Sequence, residues 1–274
     1  MGRKNKGIVL LLVLMVISIL IMLVGQFSWS SFIEGALSEN EVKDIQAELD
    51  IKSGLTILKR AIELGEISPL SFDLKSGKIT ISWESESGKI NINNLRSENI
   101  SQENERLERL FEILEEKKIL QVLGLADKII DFVLSSERPI LSMRELMQID
   151  EINEEVITSL SPYLTVYSDG KLDIYSSKDE ILFSLDERIN SPNMAEMFRD
   201  SIRTKNKKAP SWMNKLAREM KGIISDTTTA WKAMIRLEGP FSLRVYEAAL
   251  KRDGEKIKII MVNELEGEVE NVAF

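Results

Sequence analysis

Residues 8–24 read IVLLLVLMVISILIMLV, with Arg3, Lys4 and Lys6 just before them and Gly7 between the cations and the apolar run. Fourteen of the seventeen are Leu, Ile or Val, and Ser18 is the one polar side chain. Each Leu, Ile or Val contributes about −0.3 to −0.6 kcal/mol at a helix centre, so bilayer insertion gains roughly 4–8 kcal/mol. A helix of this length spans roughly 25 Å at ~1.5 Å per residue, slightly short of a ~30 Å hydrocarbon core. Residues 25–33 (GQFSWSSFI) extend the uncharged stretch, and Phe27 and Trp29 suit the interface. The cationic flank is expected to stay cytoplasmic and the rest of the chain to be exported.

Three processing schemes fit such a start. A secretory signal peptide has an apolar core of about 7–15 residues followed by small residues in an A-x-A-like pattern, whereas here the core is longer and GQFSWS follows. An uncleaved signal anchor fits the hydropathy. The third scheme cuts before the apolar run, because basic cluster, Gly7 and Ile8 in that order resemble a type IV prepilin leader. That resemblance implies a cut between Gly7 and Ile8 by prepilin peptidase on the cytoplasmic side, N-methylation of Ile8, and retention of the apolar segment as the start of a long helix. Most pilins carry glutamate at the fifth residue after the cut, and here that position is Leu12. A bilayer carboxylate is costly unless paired; a subunit without one is expected where no neighbouring amine needs it, at a filament tip.

Beyond residue 33 the chain reads as soluble. Of 274 residues 43% are hydrophobic and 29% charged, a globular composition. There is no histidine and no cysteine, which excludes Ser-His-Asp and Cys-His nucleophile pairs, imidazole or thiolate zinc sites, and disulfides. Without the three leader cations, 33 basic residues face 44 acidic ones, a net charge of −11 that disfavours binding to nucleic-acid backbone. Ser38 with Glu41 makes a capping box, and Ile45, Leu49, Leu55, Leu58 and Ile62 recur at helical spacing as a core-facing stripe. Continued through Gly35, this helix and the membrane segment form one spine over residues 8–64. LSFDL and KITISW then alternate, and Glu86-Ser87-Gly88 is expected to turn KITISW into a hairpin with KININNL. Residues 103–164 are helical in pattern, including the pair MRELMQI and EEVITSL, and LTVYSDGKLDIYS is extended. FSLRVYEAALKRDGEKIKIIMV contains two strands joined at Arg252-Asp253-Gly254-Glu255, whose Asp-Gly pair accepts the positive φ of a tight hairpin.

These blocks together resemble the general secretion pathway protein K family, the minor pseudopilins of type II secretion. SGKININNL (residues 87–95) is similar to its strand-turn segment, LADKIIDFVLSSERP (125–139) to its helix and acidic turn, and residues 146–176 to its helix pair and following strand. The absence of glutamate at Leu12 is also that family's habit. The resemblance implies an α+β fold in which a pilin-like N-terminal helix packs on an antiparallel sheet carrying a large inserted helical domain. The corresponding divisions are a leader over 1–7, a transmembrane part over 8–33, a periplasmic helix and first strands over 34–95, an inserted helical domain over 96–164, and a return to the pilin-like domain with a C-terminal hairpin over 165–274. The resemblance further implies a single-pass inner-membrane subunit with its bulk in the periplasm. Its partners would be prepilin peptidase, the major pseudopilin, and two other minor pseudopilins in a tip complex that initiates assembly. Some relatives hold calcium in the loop after the LADKIIDFVL-like helix; here that loop is SSERP, without a D-x-D run, so no cofactor or metal residues are assigned.

The same leader and spine also fit a minor pilin of a related type IV pilus or DNA-uptake system, and other readings are weaker. LMQIDEINEEVITSL is similar to a nucleic-acid-binding helix-hairpin-helix, yet Ile149-Asp150-Glu151-Ile152 has no glycine to bring backbone amides to phosphate and two acids that repel it. Asp127 and Asp131 share a helix face as a solvated edge. A signal-anchored periplasmic enzyme would need a catalytic set, and Ser211 with Lys215 is a spacing that chance supplies. Lys205-Asn206-Lys207-Lys208 reads as a solvated loop beside Trp212, Asn99-Ile100-Ser101 as a silent sequon, and the acidic tail after residue 262 as strand or frayed end.

Overall fold

A computed structural model describes residues 4–66, 68–74, 77–97, 100–120, 122, 124–204, 209–239 and 243–265. Helix α1 (Lys4–Leu64) is continuous over 61 residues, roughly 90 Å at about 1.5 Å per residue. The Ser38–Glu41 pair therefore lies inside a helix rather than starting one: no proline precedes Pro69, and extending an existing helix costs less than nucleating a new one. The helix ends in a Schellman motif. Gly65 takes φ +70°, its N–H reaches the Ile62 carbonyl at 3.2 Å, and the Glu66 N–H reaches the Ala61 carbonyl at 2.9 Å.

The C-terminal part of α1 packs on a five-stranded antiparallel sheet of order β1-β2-β7-β8-β9. Its strands are β1 (Leu70–Leu74), β2 (Gly77–Ser85), β7 (Ala230–Glu238), β8 (Leu243–Asp253) and β9 (Lys256–Glu264). Ala47, Ile51, Leu55, Leu58 and Ile62 form one core with Ile79, Ile81, Trp231, Ala233, Ile235 and Leu250. Leu55, Leu58 and Ile62 face inward as the spacing predicts, but Ile45 and Leu49 do not: they stay 54% and 52% exposed. The expected stripe is thus two stripes on opposite sides of the helix.

The central strand β7 has no counterpart in the sequence reading, although its side chains alternate cleanly, with Trp231, Ala233, Ile235 and Leu237 inward. The expected hairpin of KITISW with KININNL does not form. Its place is taken by β1 with β2, in register from Leu70↔Ile81 to Leu74↔Gly77, while β2's other edge pairs with β7. The C-terminal hairpin forms as expected, with Asp253 paired to Lys256 and Gly254 at φ +61° in the two-residue turn.

All of the helical body lies between Ser85 and Ala230, in the connection joining the neighbouring strands β2 and β7. It begins with β3 (Ile90–Asn91) and a 3-10 turn, then α2 (Ile100–Glu116) and α3 (Leu125–Ser135), a second 3-10 turn over Met143–Gln148, and α4 (Glu154–Leu160). The chain continues through β4 (Leu164–Thr165), β5 (Leu172–Asp173), α5 (Asp179–Leu185), α6 (Pro192–Thr204), α7 (Ser211–Glu219) and β6 (Ile224–Ser225). MRELMQI is therefore a 3-10 turn rather than an α-helix. The extended stretch supplies only two-residue parallel pairs, Ile90↔Leu164 with β3 and Leu172↔Ile224 with β6. The body does not close at residue 164: Ile181, Leu182, Phe198 and Met213 are fully buried in the same cluster as Leu107, Leu110, Leu125 and Leu146, so its packing extends through α7.

Candidate assembly surface and the neck between the two bodies

Among the described residues, the N-terminal half of α1 carries a long run of exposed apolar side chains. Leu14, Leu20, Met22 and Val24 are half exposed or more, as are Phe27, Trp29 and Phe32 beyond them. Among the described residues, α1 is the one helix long and apolar enough to cross a membrane by length and composition, and none of its most apolar window is buried. Gly7, Ile8 and Leu12 lie in the helical backbone of α1, while the side chains of Ile8 and Leu12 are outside the described residues. Higher up, Val42, Ile45 and Leu49 form an exposed stripe at i, i+3 and i+7, directly away from the sheet-facing Ala47, Ile51 and Leu58. Arg244 on β8 ion-pairs with Asp44, fixing the helix to the sheet just where it emerges.

The second notable region is the neck, where the chain passes between the two bodies. The Glu86 N–H donates to the Ala230 carbonyl at 2.9 Å, and the Ser87 hydroxyl accepts from both the Thr229 and the Ala230 N–H at 2.9 Å. Glu86 is 2% exposed, and its carboxylate accepts from the Lys89 ammonium at 2.6 Å; Lys89 also reaches Glu84 at 2.9 Å. Burial, the largest influence, pushes the Glu86 carboxyl up although Lys89 pulls the other way. Burial disfavours the Lys89 charge as well, but Glu86 and Glu84 together outweigh it and raise the Lys89 pKa. Asp173 is buried and satisfied by the Thr228 hydroxyl at 2.6 Å, the Ser176 hydroxyl at 2.9 Å and the Tyr175 N–H at 3.1 Å. Asn93 ties down two loops, accepting from the Ile140 N–H and donating to the Ile140 and Val166 carbonyls.

Between the outer face of the sheet and the helical body lies an open groove of about 1210 Å³, lined among others by Trp83, Met143, Met147, Ile157 and Met234. Across it the Tyr167 hydroxyl donates to Glu247 at 3.3 Å, and Glu247 also holds Lys232 at 2.9 Å. Burial, together with the Glu247 charge, pushes the Tyr167 hydroxyl up.

The remaining residues named from the sequence stay apart. Asp127 and Asp131 are both exposed on α3, as a solvated edge requires. Among the described residues no group of three or more acidic side chains is placed to hold a metal ion. In the turn before α4, Ile152 is buried and Glu151 pairs with Lys128, a packing arrangement with no backbone cradle for phosphate. Lys215 turns to Glu219 at 3.7 Å along its own helix. Trp212 is half-buried beneath the Arg188 guanidinium, 4.4 Å from the ring centre. Asn99, residues 205–208 and the tail from residue 266 lie outside the described residues. Ser87, Lys89, Tyr167 and Glu247 escaped the sequence reading; the one local signal was a lysine inside the otherwise apolar and amide-rich SGKININNL.

The arrangement of spine, antiparallel sheet and inserted helical body has a counterpart among solved structures. One chain of the crystal structure of the GspK-GspI-GspJ complex from the enterotoxigenic Escherichia coli type 2 secretion system superimposes with a TM-score of 0.61 at 11% identity, covering 84% of this chain and 99% of that one. The fold is pseudopilin-like. No protein-family profile matches the sequence, and no curated protein matches it either. At 11% identity the likeness lies in the path of the backbone, and the pseudopilin-like chain described here reaches that path with its own side chains.

Proposed function

We propose that this chain is a minor pseudopilin of a type II secretion system, a non-catalytic subunit at the pseudopilus tip that helps initiate assembly for protein export across the outer membrane. The observation that carries the reading is the single helix whose apolar first part is bare while its last part is sealed against a sheet bearing a large helical body. A helix with that division is suited to leaving the bilayer and packing among other helices without unfolding the domain above it. In this reading prepilin peptidase cuts between Gly7 and Ile8, Ile8 becomes N-methylated, and Leu12 in place of glutamate suits a subunit at the tip. The mature chain sits in the inner membrane with its bulk in the periplasm, and its partners are other minor pseudopilins and the major pseudopilin.

Intact mass of the protein from cells with and without prepilin peptidase tests the processing. A mature N-terminus at Ile8 that depends on the peptidase is expected; an unprocessed Met1, or a cut after residue 25, overturns it. Co-purification after detergent extraction tests the assembly role. Small pilin-like proteins are expected with the chain, and recovery of a solitary, active hydrolase contradicts the reading.

A further inference from the structure

The two bodies have separate cores that share no residue: one is built by α1 and the five-stranded sheet, the other by the helices and short strands between Ser85 and Ala230. The chain crosses between them at one place, by two strands that are neighbours in the sheet. Hydrogen bonds and an ion pair connect the bodies. Besides Tyr167 with Glu247 and Lys89 with Glu84, the Ser85 hydroxyl donates to that of Ser176 at 2.9 Å. Large apolar interfaces lock domains together; small polar ones leave relative motion as the default, and such motion is absorbed at a few element termini. Here those termini are the end of β2 and the start of β7, held side by side by the doubly accepting Ser87 hydroxyl, so both crossings share one axis.

We propose that the neck is a hinge about which the helical body swings as a unit over the outer face of the sheet, its resting angle set by two polar struts, Tyr167–Glu247 and Lys89–Glu84. The groove is the space through which the body swings, and the Tyr167–Glu247 hydrogen bond and the Lys89–Glu84 ion pair link its two sides. Motion of this sort repositions the helical surface relative to α1 without disturbing either core.

The chain contains no cysteine, so pairs of introduced cysteines can be spin-labelled on the full-length protein in detergent without background. Exposed positions are available on each body: Glu155 and Glu108 on the helical one, Ser71 and Lys256 on the sheet. Pulsed electron-spin distance measurements on Glu155→Cys/Lys256→Cys read the angle between bodies. Glu155→Cys/Glu108→Cys and Ser71→Cys/Lys256→Cys read each body alone. Removing both struts with Tyr167→Phe and Glu84→Gln, which leaves Lys89 its buried partner Glu86, is expected to widen the distribution between bodies at least twofold while both internal distributions keep their width. Tyr167→Phe alone should give an intermediate width. An unchanged distribution between bodies overturns the hinge, and so does broadening of all three pairs together, because that would make the struts part of a common core.

Discussion

The sheet body and the helical body are held together by different physics. In the first, one long helix lays a single stripe on a sheet whose strands β2 and β7 turn residues inward by simple alternation, as in Ile79 and Ile81 or Ala233 and Ile235. In the second, short helices and two-residue strands meet around Leu107, Ile129, Leu146 and Phe198, with the buried Asn91 and Asp173 and the half-buried Asn93 tying the loops. A regular body is closed by its backbone ladders; an irregular one needs polar side chains to close what its short elements leave open. The neck therefore joins a part fixed by pattern to a part fixed by particular residues.

The sharpest way to separate the two is Phe198→Ala, which empties a fully buried position in the helical body and is expected to cost that body about 3–5 kcal/mol. Hydrogen exchange should then rise through α2 to α7 while β7 and β8 keep their protection; a uniform rise would merge the two bodies into one cooperative unit. Next is the junction itself. Lys89→Met leaves Glu86 buried without its cation, a change that costs roughly 3–5 kcal/mol at neutral pH. The sign with pH follows from the raised Glu86 carboxyl: its protonated form is the one burial favours, so the penalty is full above its folded pKa and shrinks as pH falls through it. Denaturant midpoints of variant and parent should converge on acidification. In the sheet body, Leu58→Ala should cost about 2–5 kcal/mol, read as a lower unfolding midpoint for the strands. The smallest effect is expected from Leu49→Ser on the same helix, within about 0.5 kcal/mol, because that side chain already faces outward; calorimetry on the two variants side by side measures the difference between the stripes.

How much of this could be read from the chain depended on how local the cause was. The spine was legible because the apolar run is uninterrupted and no proline breaks it before residue 65. The last hairpin was legible because its Asp253-Gly254 turn chemistry stands directly before the β-branched run KIKIIMV. Strand β7 was not, since AWKAMIRLE is rich in good helix formers and becomes a strand only because β2 and β8 flank it on both edges. The alternative partner of KITISW was missed for a related reason: the turn at Glu86 is the point at which the chain leaves the sheet, and its destination depends on Ser87 meeting Thr229 and Ala230, which are far along the sequence. The opposite exposures of Leu49 and Leu55 were likewise invisible in a list of apolar positions, because both belong to the 3.6-residue pattern and only the sheet's placement selects between them. Of the surface features, the bare helix was legible in full, whereas the neck's buried charges were not, because a lysine and two glutamates in sequence look like any solvated turn.

Placing a whole helical body between two adjacent antiparallel strands has a consequence for how the protein is born. The rungs linking Lys78 with Glu238 through to Ser85 with Trp231 join chain segments made at quite different times, so the first strand pair must wait, one edge open, until the entire intervening body has emerged. The entropy of closing so long an excursion grows only logarithmically with its length, and prior collapse of the intervening body brings its two ends together in advance. Synthesis of the parts is thereby ordered in time: the helices between β2 and β7 are all made before the strand that fills β2's open edge.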